Sequence, residues 1–184
     1  MFLLRHLVAS FALVLVCQDL AADELSRFVD PETGIEISYP SYWMLEETVE
    51  DGEVFTVNVN DSTDGGRCVI FIEEERVFDG MTDSEAVDFL FESNWYENRY
   101  RKWFPSFVTV KRTRSEISGR IALEIQHQID LSDIGLNAQS ESIDYVIARD
   151  GELVTLGCFA GLQEFPYLHA VFIETLKSTV LPAD

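Results

Sequence analysis

The chain has 184 residues, 47% of them hydrophobic, and 33 acids against 13 bases give it a net charge of −20 at pH 7. That length accommodates one ordinary domain with a real core, and no internal repeat or low-complexity tract divides it. So acidic a chain is a poor partner for nucleic acid, whose backbone it would repel.

The N-terminus reads as a targeting signal. Arg5 and His6 form a short basic region, and Leu7–Val16 is ten residues without a charge, too short for the roughly 20 that span a bilayer. Leu20-Ala21-Ala22 offers a cleavage site, so residues 1–22 are predicted to be a secretory signal peptide. The remainder, 23–184, is predicted to be one domain that is periplasmic or secreted. Retention of the segment as an anchor and lipidation at Cys17 are the alternatives, the second weakened by bulky Val16 before the cysteine. In an exported chain Cys68 and Cys158 could form a disulfide. Both lie in apolar strands, however, and two buried free thiols are the favoured expectation.

Gly34-Ile-Glu-Ile-Ser-Tyr-Pro40 alternates, with Ile35, Ile37 and Tyr39 on one face, so it predicts a strand ended by Pro40, with Trp43 following as a core aromatic. Glu53–Asn60 and Cys68–Ile72 predict two more strands, joined through an acidic turn at Asp61–Gly66. Thr82-Asp-Ser-Glu85 is a capping box. It opens a helix whose apolar side is Ala86, Phe89, Leu90, Tyr96, Tyr100 and Trp103, and which cannot continue past Pro105. Three strands follow, at Phe107–Glu116, Arg120–Leu131 and Gln139–Arg149. Asp150-Gly151 is a two-residue hairpin signal, because a type I′ turn needs positive φ at both positions. Glu152–Gly161 is apolar on both faces, as in an interior strand covered on both sides. Leu162, Phe165, Leu168, His169, Phe172, Ile173 and Leu176 then recur at helical spacing, with Pro166 in the first turn and Lys177 at the end. Strands outnumber helices, and each helix follows a group of strands. The pattern predicts an α+β fold with a mostly antiparallel sheet of about six to eight strands and two main helices.

Two segments resemble the PsbP-like family, whose fold is shared with the Ran-binding protein Mog and exported DcrB-like proteins. Gly34-Ile-Glu-Ile-Ser-Tyr-Pro40 with Trp43 is similar to that family's opening strand, proline and tryptophan. Thr155-Leu-Gly-Cys-Phe-Ala160, with Phe165, Phe172 and Leu176-Lys-Ser178, is similar to its closing strand and helix, and Gly119 and Ala122 fall where its middle hairpin has small residues. One departure is Tyr42, where a glycine usually precedes the tryptophan. The resemblance implies an α/β/α sandwich and, since most members bind partners without catalysing a reaction, a non-enzymatic binding role; a fold does not by itself carry function.

Chemistry is sparse. No nucleophile elbow, zinc-protease, Cys-x-x-Cys or phosphate-loop motif occurs, and neither cofactor nor metal is expected. An EF-hand reading of Asn60–Gly66 fails because Phe71 stands where a bidentate glutamate is required. Glu73-Glu74-Glu75 reads as a solvated strand end, which with Asp79 could attract a divalent cation only weakly and without defined geometry. His127 and His169 fall on apolar faces, as buried histidines held by one hydrogen bond do. A thiolate pair of Cys158 with either histidine lacks electropositive neighbours.

The distribution of charge is more informative. Arg99, Arg101, Lys102, Lys111, Arg112 and Arg114 fall in sixteen residues that contain no acid, interleaved with Tyr100, Trp103, Phe104 and Phe107. Bases suit a helix C-terminus and an exposed strand face, and they also suit a binding surface. Strand alternation places Arg112 and Arg114 on one face and Lys111 on the other. The candidate binding residues are therefore Arg99, Arg101, Lys102, Trp103, Arg112 and Arg114. The expected partner is a protein or an anionic envelope component, with salt-sensitive self-association as a further possibility. The sequence thus predicts an exported, non-enzymatic binding module. An envelope assembly factor, or a hydrolase or metal-dependent enzyme with an unrecognised site, are the alternatives.

Overall fold

The computed structural model describes residues 24–46, 52–59, 65–149 and 151–182. The signal segment with Cys17 and Ala22, the acidic loop at 60–64 and Asp150 lie outside these residues. In chain order the strands are β1 (Leu25–Val29), β2 (Glu36–Pro40), β3 (Met44–Leu45), β4 (Glu53–Asn58), β5 (Arg67–Glu74), β6 (Ser106–Ile117), β7 (Arg120–Asp130), β8 (Gln139–Arg149) and β9 (Glu152–Gly161). The helices are α1 (Asp83–Glu92), α2 (Trp95–Tyr100) and α3 (Phe165–Lys177). Strands β1 and β2 form a hairpin of their own; the other seven make one antiparallel sheet in the order β3-β4-β5-β9-β8-β7-β6.

The doubly apolar strand predicted at 152–161 is the middle strand of the seven. Its hairpin with β8 closes at Arg149↔Glu152, and Gly151 takes φ +80°, the left-handed conformation that the two-residue turn demands. The sheet buries side chains on both faces. On one, Phe55, Cys68, Ile70, Ile143, Tyr145, Leu156 and Cys158 pack beneath α3, through Phe172 and Leu176, and beneath Ile35 and Ile37 at the hairpin. On the other, Leu123, Ile125, Ile129, Val146 and Ala148 pack beneath Ala86, Leu90, Tyr96 and Tyr100 of α1 and α2. Trp43 is a core residue, as predicted, set edge-on to Phe172. The turn before it closes through Trp43 N–H to Pro40 C=O at 2.9 Å without a positive φ at Tyr42, so no glycine is needed there. Strand β1 escapes the sequence pattern because Leu25 and Val29 are exposed, and its inward anchor is Phe28, packed on Phe55 at 5.2 Å.

Two expectations are corrected. The helix predicted from Thr82 to Pro105 is two helices. The capping box is present, with Thr82 N–H on Glu85 Oε2 at 2.9 Å and Glu85 N–H on Thr82 Oγ1 at 3.3 Å. But α1 stops at Ser93, which is extended (φ −98°, ψ 167°), and α2 restarts at Trp95. Arg112 of β6 holds the break: its Nη2 donates to Leu90 C=O and, at 2.7 Å, to Ser93 C=O, two acceptors that the end of α1 leaves without helical partners. The two cysteines, expected as free thiols, are bridged, because Cys68 and Cys158 stand directly opposite on neighbouring β5 and β9.

The bridge links positions 90 residues apart and on the chain-entropy model is worth about 4–5 kcal/mol. Cys68 and Cys158 should therefore resist alkylation in denaturant without reductant, and the double Cys→Ala variant should unfold at clearly lower urea. Recovery of two alkylated thiols would show that the bridge is not formed. Arg112→Ala should cost about 3 kcal/mol or more, because it strands the buried Glu97 carboxylate and two helix-end carbonyls. Arg112→Lys, which cannot serve three acceptors in one plane, should recover little of that loss in the same denaturation experiment.

Candidate functional site

Helices α1 and α2 lie over β6, β7 and β8. Across β4, β5 and β9 no helix among the described residues lies above the same face. Alternation there turns Val69, Phe71 and Glu73 of β5 and Thr155, Gly157 and Phe159 of β9 to the same side. The segment after α2 turns down beside them, with Trp103 nearly parallel to Phe71 at 6.4 Å and Phe104 against Tyr100 at 5.1 Å. The result is a cleft of about 320 Å³. Six aromatic side chains line it: Phe71, Tyr96, Tyr100, Trp103, Phe104 and Phe159. The prediction that β9 is covered on both sides thus holds at Leu153, which is buried, and fails at Thr155 and Phe159, which face the cleft half-exposed.

The floor carries an unusual residue. Asp144 of β8 is 5% exposed and stands beside Gly157 across the strand pair. Its Oδ1 lies 2.4 Å from where a Cβ on Gly157 would be, so a glycine in mid-strand is what makes room for the carboxyl. Ser142 Oγ donates to Oδ2 at 3.2 Å and lies 3.1 Å from the Tyr100 hydroxyl. Oδ1 has no hydrogen bond among the described residues. Burial outweighs the single bond from Ser142 and raises the Asp144 pKa from 3.8 to about 7. Burial likewise pushes the Tyr96 and Tyr100 hydroxyls well above their ordinary value, and Asp144 adds to both. The Tyr96 hydroxyl is buried facing Thr155 without a hydrogen bond of full geometry. A second buried acid of the lining, Glu53, pairs with Arg67 at 3.3 Å, and Glu73 accepts from Arg99 Nε at 3.2 Å. Of three other hollows among the described residues, those at 105–108 and 136–138 contain no buried carboxyl, and the one between α2 and β6 contains Glu97, already paired with Arg112 at 2.8 Å.

The six predicted binding residues separate in space. Arg99 is clamped by Glu73 and Glu75, with its guanidinium over the Trp95 and Trp103 rings at 5.6 and 5.7 Å. Arg112 bonds Glu97 at 2.8 Å besides the two carbonyls, and Arg114 pairs with Asp88 at 2.5 Å. Acids absent from the local sequence are thus supplied by α1, α2 and β5. Arg101 and Lys102 are exposed, with no acidic partner among the described residues; Arg101 lies over the Phe107 ring at 4.8 Å. Trp103 is 46% exposed at the mouth of the cleft. Lys111 is on the opposite face, paired with Glu124, which also accepts from the Tyr145 hydroxyl at 3.1 Å. Of the predicted set, Arg99 and Trp103 border the cleft, Arg101 and Lys102 lie next to it in the chain, and Arg112 and Arg114 brace the helices. Asp144 and Gly157 were missed. A lone acid among apolar residues at 143–148, and a glycine within 153–160, were the available signals.

Glu73-Glu74-Glu75 is not simply solvated, since Glu73 and Glu75 hold Arg99. Among the described residues no group of three or more histidine, cysteine or acidic side chains could hold a metal ion. His127 is fully buried, with Nδ1 3.2 Å from Thr109 Oγ1 and its ring 4.3 Å from that of Tyr100. Burial, reinforced by Arg112, lowers its pKa to about 4. His169 accepts from Gln126 Nε2 at 2.8 Å. The bridge removes Cys158 as a thiolate, and Ser142 is 2% exposed, out of reach of a substrate.

No family model and no curated protein matches the sequence. Solved structures do match the fold. The cyanobacterial PsbP of Synechocystis sp. PCC 6803 aligns at TM-score 0.58 and 14% identity, covering 90% of this chain and 97% of that one. The Saccharomyces cerevisiae Ran-binding protein Mog1p aligns at 0.56 and 11% identity, over 87% and 96% of the two chains. LpqN, involved in cell envelope biogenesis of Mycobacterium tuberculosis, aligns at 0.55 and 13%, over 86% and 92%. The chain has the PsbP-like fold that Mog1p shares, an α+β sandwich, as the opening and closing segments of the sequence suggested.

Asp144 couples the cleft to pH. Its pKa is about 7 in the folded chain and 3.8 ordinarily, so between those values the folded state binds the extra proton. Its ionisation leaves stability untouched below about pH 4 and lowers it progressively as pH rises through 7. Asp144→Asn should match the parent chain in urea midpoint at pH 4 and exceed it at pH 8. A gap that is the same at both pH values would show that Asp144 is not held protonated by its surroundings.

Proposed function

We propose that the protein is an exported, non-enzymatic binding module that takes its partner on the aromatic cleft beside β5 and β9. The single observation that carries this reading is the cleft itself: half of one sheet face that no described helix covers, walled by aromatic side chains and floored by a buried carboxyl. Clustered aromatics around a concave, partly desolvated surface are what binding hot spots are made of. Arg101 and Lys102, exposed next to Trp103 in the chain, extend the surface with positive charge that no acid among the described residues pairs, suited to an acidic patch on a partner protein or to an anionic envelope component. On a chain of net charge −20 they could equally meet a second copy in a salt-sensitive contact.

Export is supported by the short apolar run before Ala22 and by the buried Cys68–Cys158 bridge, which persists in an oxidising compartment. Of the fold neighbours, Mog1p, a Ran-binding protein, supports the binding role, and LpqN, involved in cell envelope biogenesis, suits an envelope address. Asp144 has the pKa of a general base, yet the oxygen that faces the cleft has no hydroxyl, thiol or imidazole hydrogen-bonded to it among the described residues. That is why binding is favoured over catalysis.

The test is site-specific photocrosslinking in cells. A benzoylphenylalanine at Trp103 should trap a discrete partner. The same group at Tyr167, 86% exposed on α3 across the sheet, should not. No adduct at position 103, or the same adducts at both positions, would overturn the assignment.

A further inference from the structure

We propose that the cleft recognises a basic side chain, a lysine ammonium or an arginine guanidinium presented by a partner protein. This rests on reading the cleft as the binding surface, and adds the chemistry of its guest.

Three observations converge on a cation. The first is the floor. Asp144 Oδ1 lies over Gly157, inside the cleft, without a hydrogen bond among the described residues, while Ser142 serves only Oδ2. The side chain is 5% exposed and this oxygen meets only the cleft, so a donor that enters, best of all a charged one, gains a strong bond there. The second is the sign of the lining. The formal charges in the cleft wall are Asp144, Glu53 and Glu73 against Arg67 alone. Glu53 is already paired with Arg67, and Glu73 with Arg99. Asp144 is thus the acid of the lining without a basic partner among the described residues; an anionic guest would meet it across a desolvated floor, and a neutral one would leave Oδ1 as it is. The third is the wall. Aromatic faces attract cations through the ring quadrupole, more strongly where water is excluded. Arg99 over Trp95 and Trp103 shows that this cluster already accommodates a guanidinium from within the chain.

The geometry suits a side chain on a stem better than a bare ion. The cleft holds about 320 Å³, and six aromatic side chains stand around Asp144 in its lining. A methylene stem can lie along Phe71, Tyr100 and Phe104 while the charged end reaches Asp144.

The experiment uses the chain from residue 23 onward and short capped Gly-Ser peptides with one central residue: arginine, citrulline, lysine or acetyl-lysine. Binding is followed by the NMR shifts of the Trp103 indole and the Gly157 amide. Arginine and lysine peptides should shift both signals, and each neutral counterpart should bind about tenfold more weakly or worse. Asp144→Asn should abolish that preference while leaving the weak neutral binding in place. Equal affinity for charged and neutral peptides in the unmodified chain would overturn the inference without any variant having to fold, and so would a preference that Asp144→Asn retains. Crosslinking at Trp103 fails or succeeds independently of these outcomes, so loss of the cation preference alone would leave the cleft as a binding surface for another guest.

Discussion

The helical face of this fold depends on one guanidinium. Arg112 projects from β6 beneath the junction of α1 and α2 and satisfies carbonyls at Leu90 and Ser93 and the carboxylate of Glu97. Each acceptor belongs to a different part of the junction: the last turn of α1, its cap, and the body of α2. A planar fork that serves all three sets where the first helix ends and where the second begins. With the break in place, Tyr96 and Tyr100 turn inward over His127 and Ser142, and Trp103 and Phe104 follow at the edge. One unbroken helix would carry that aromatic set along a straight axis, away from β5. The cleft wall is thus a consequence of an ion pair and two backbone contacts on the far side of the helices.

Much of the fold was legible because the physics behind it is local. Alternation revealed β2, β4 and β7, and apolar runs revealed β5 and β9. A Thr-x-x-Glu box opened α1, an Asp-Gly pair joined the central hairpin, and a change of period announced α3. What escaped depended on contacts between distant residues. Nothing near Ser93-Asn94 shows that Arg112, some twenty residues on, will terminate the helix there. The basic run at 99–114 looks unneutralised because its acids, Glu73, Glu75 and Asp88, come from β5, the turn after it and α1. Doubly apolar β9 suggested full cover, yet a mid-strand glycine beside a buried acid is equally well the mark of an open floor. The pairing of Cys68 with Cys158 turns on register, which two apolar strands do not disclose by themselves.

Asp144 and Gly157 break the rules that the rest of the sheet obeys. An acid with one hydrogen-bond donor and a glycine in the middle strand are each unfavourable where they stand. They occur as a cross-strand pair, each making sense of the other: the glycine leaves the space that the carboxyl fills. Elsewhere local propensity, patterning and burial agree. Paired exceptions in a sheet otherwise built to rule are where selection for something other than stability is expected.

The bridge completes this argument from the opposite face. A floor without a helix above it lacks half of the packing that holds an interior strand rigid, and β5 and β9 supply the cleft with Phe71, Thr155, Gly157 and Phe159. Cys68 and Cys158 join these two strands beneath the floor, in the register step between Arg67↔Phe159 and Val69↔Gly157. The covalent tie therefore backs, from the face packed beneath α3, a floor whose other face no described helix covers. It holds the spacing of the strands on which the cleft is built, and a floor fixed before the guest arrives spares the partner the entropy of ordering it.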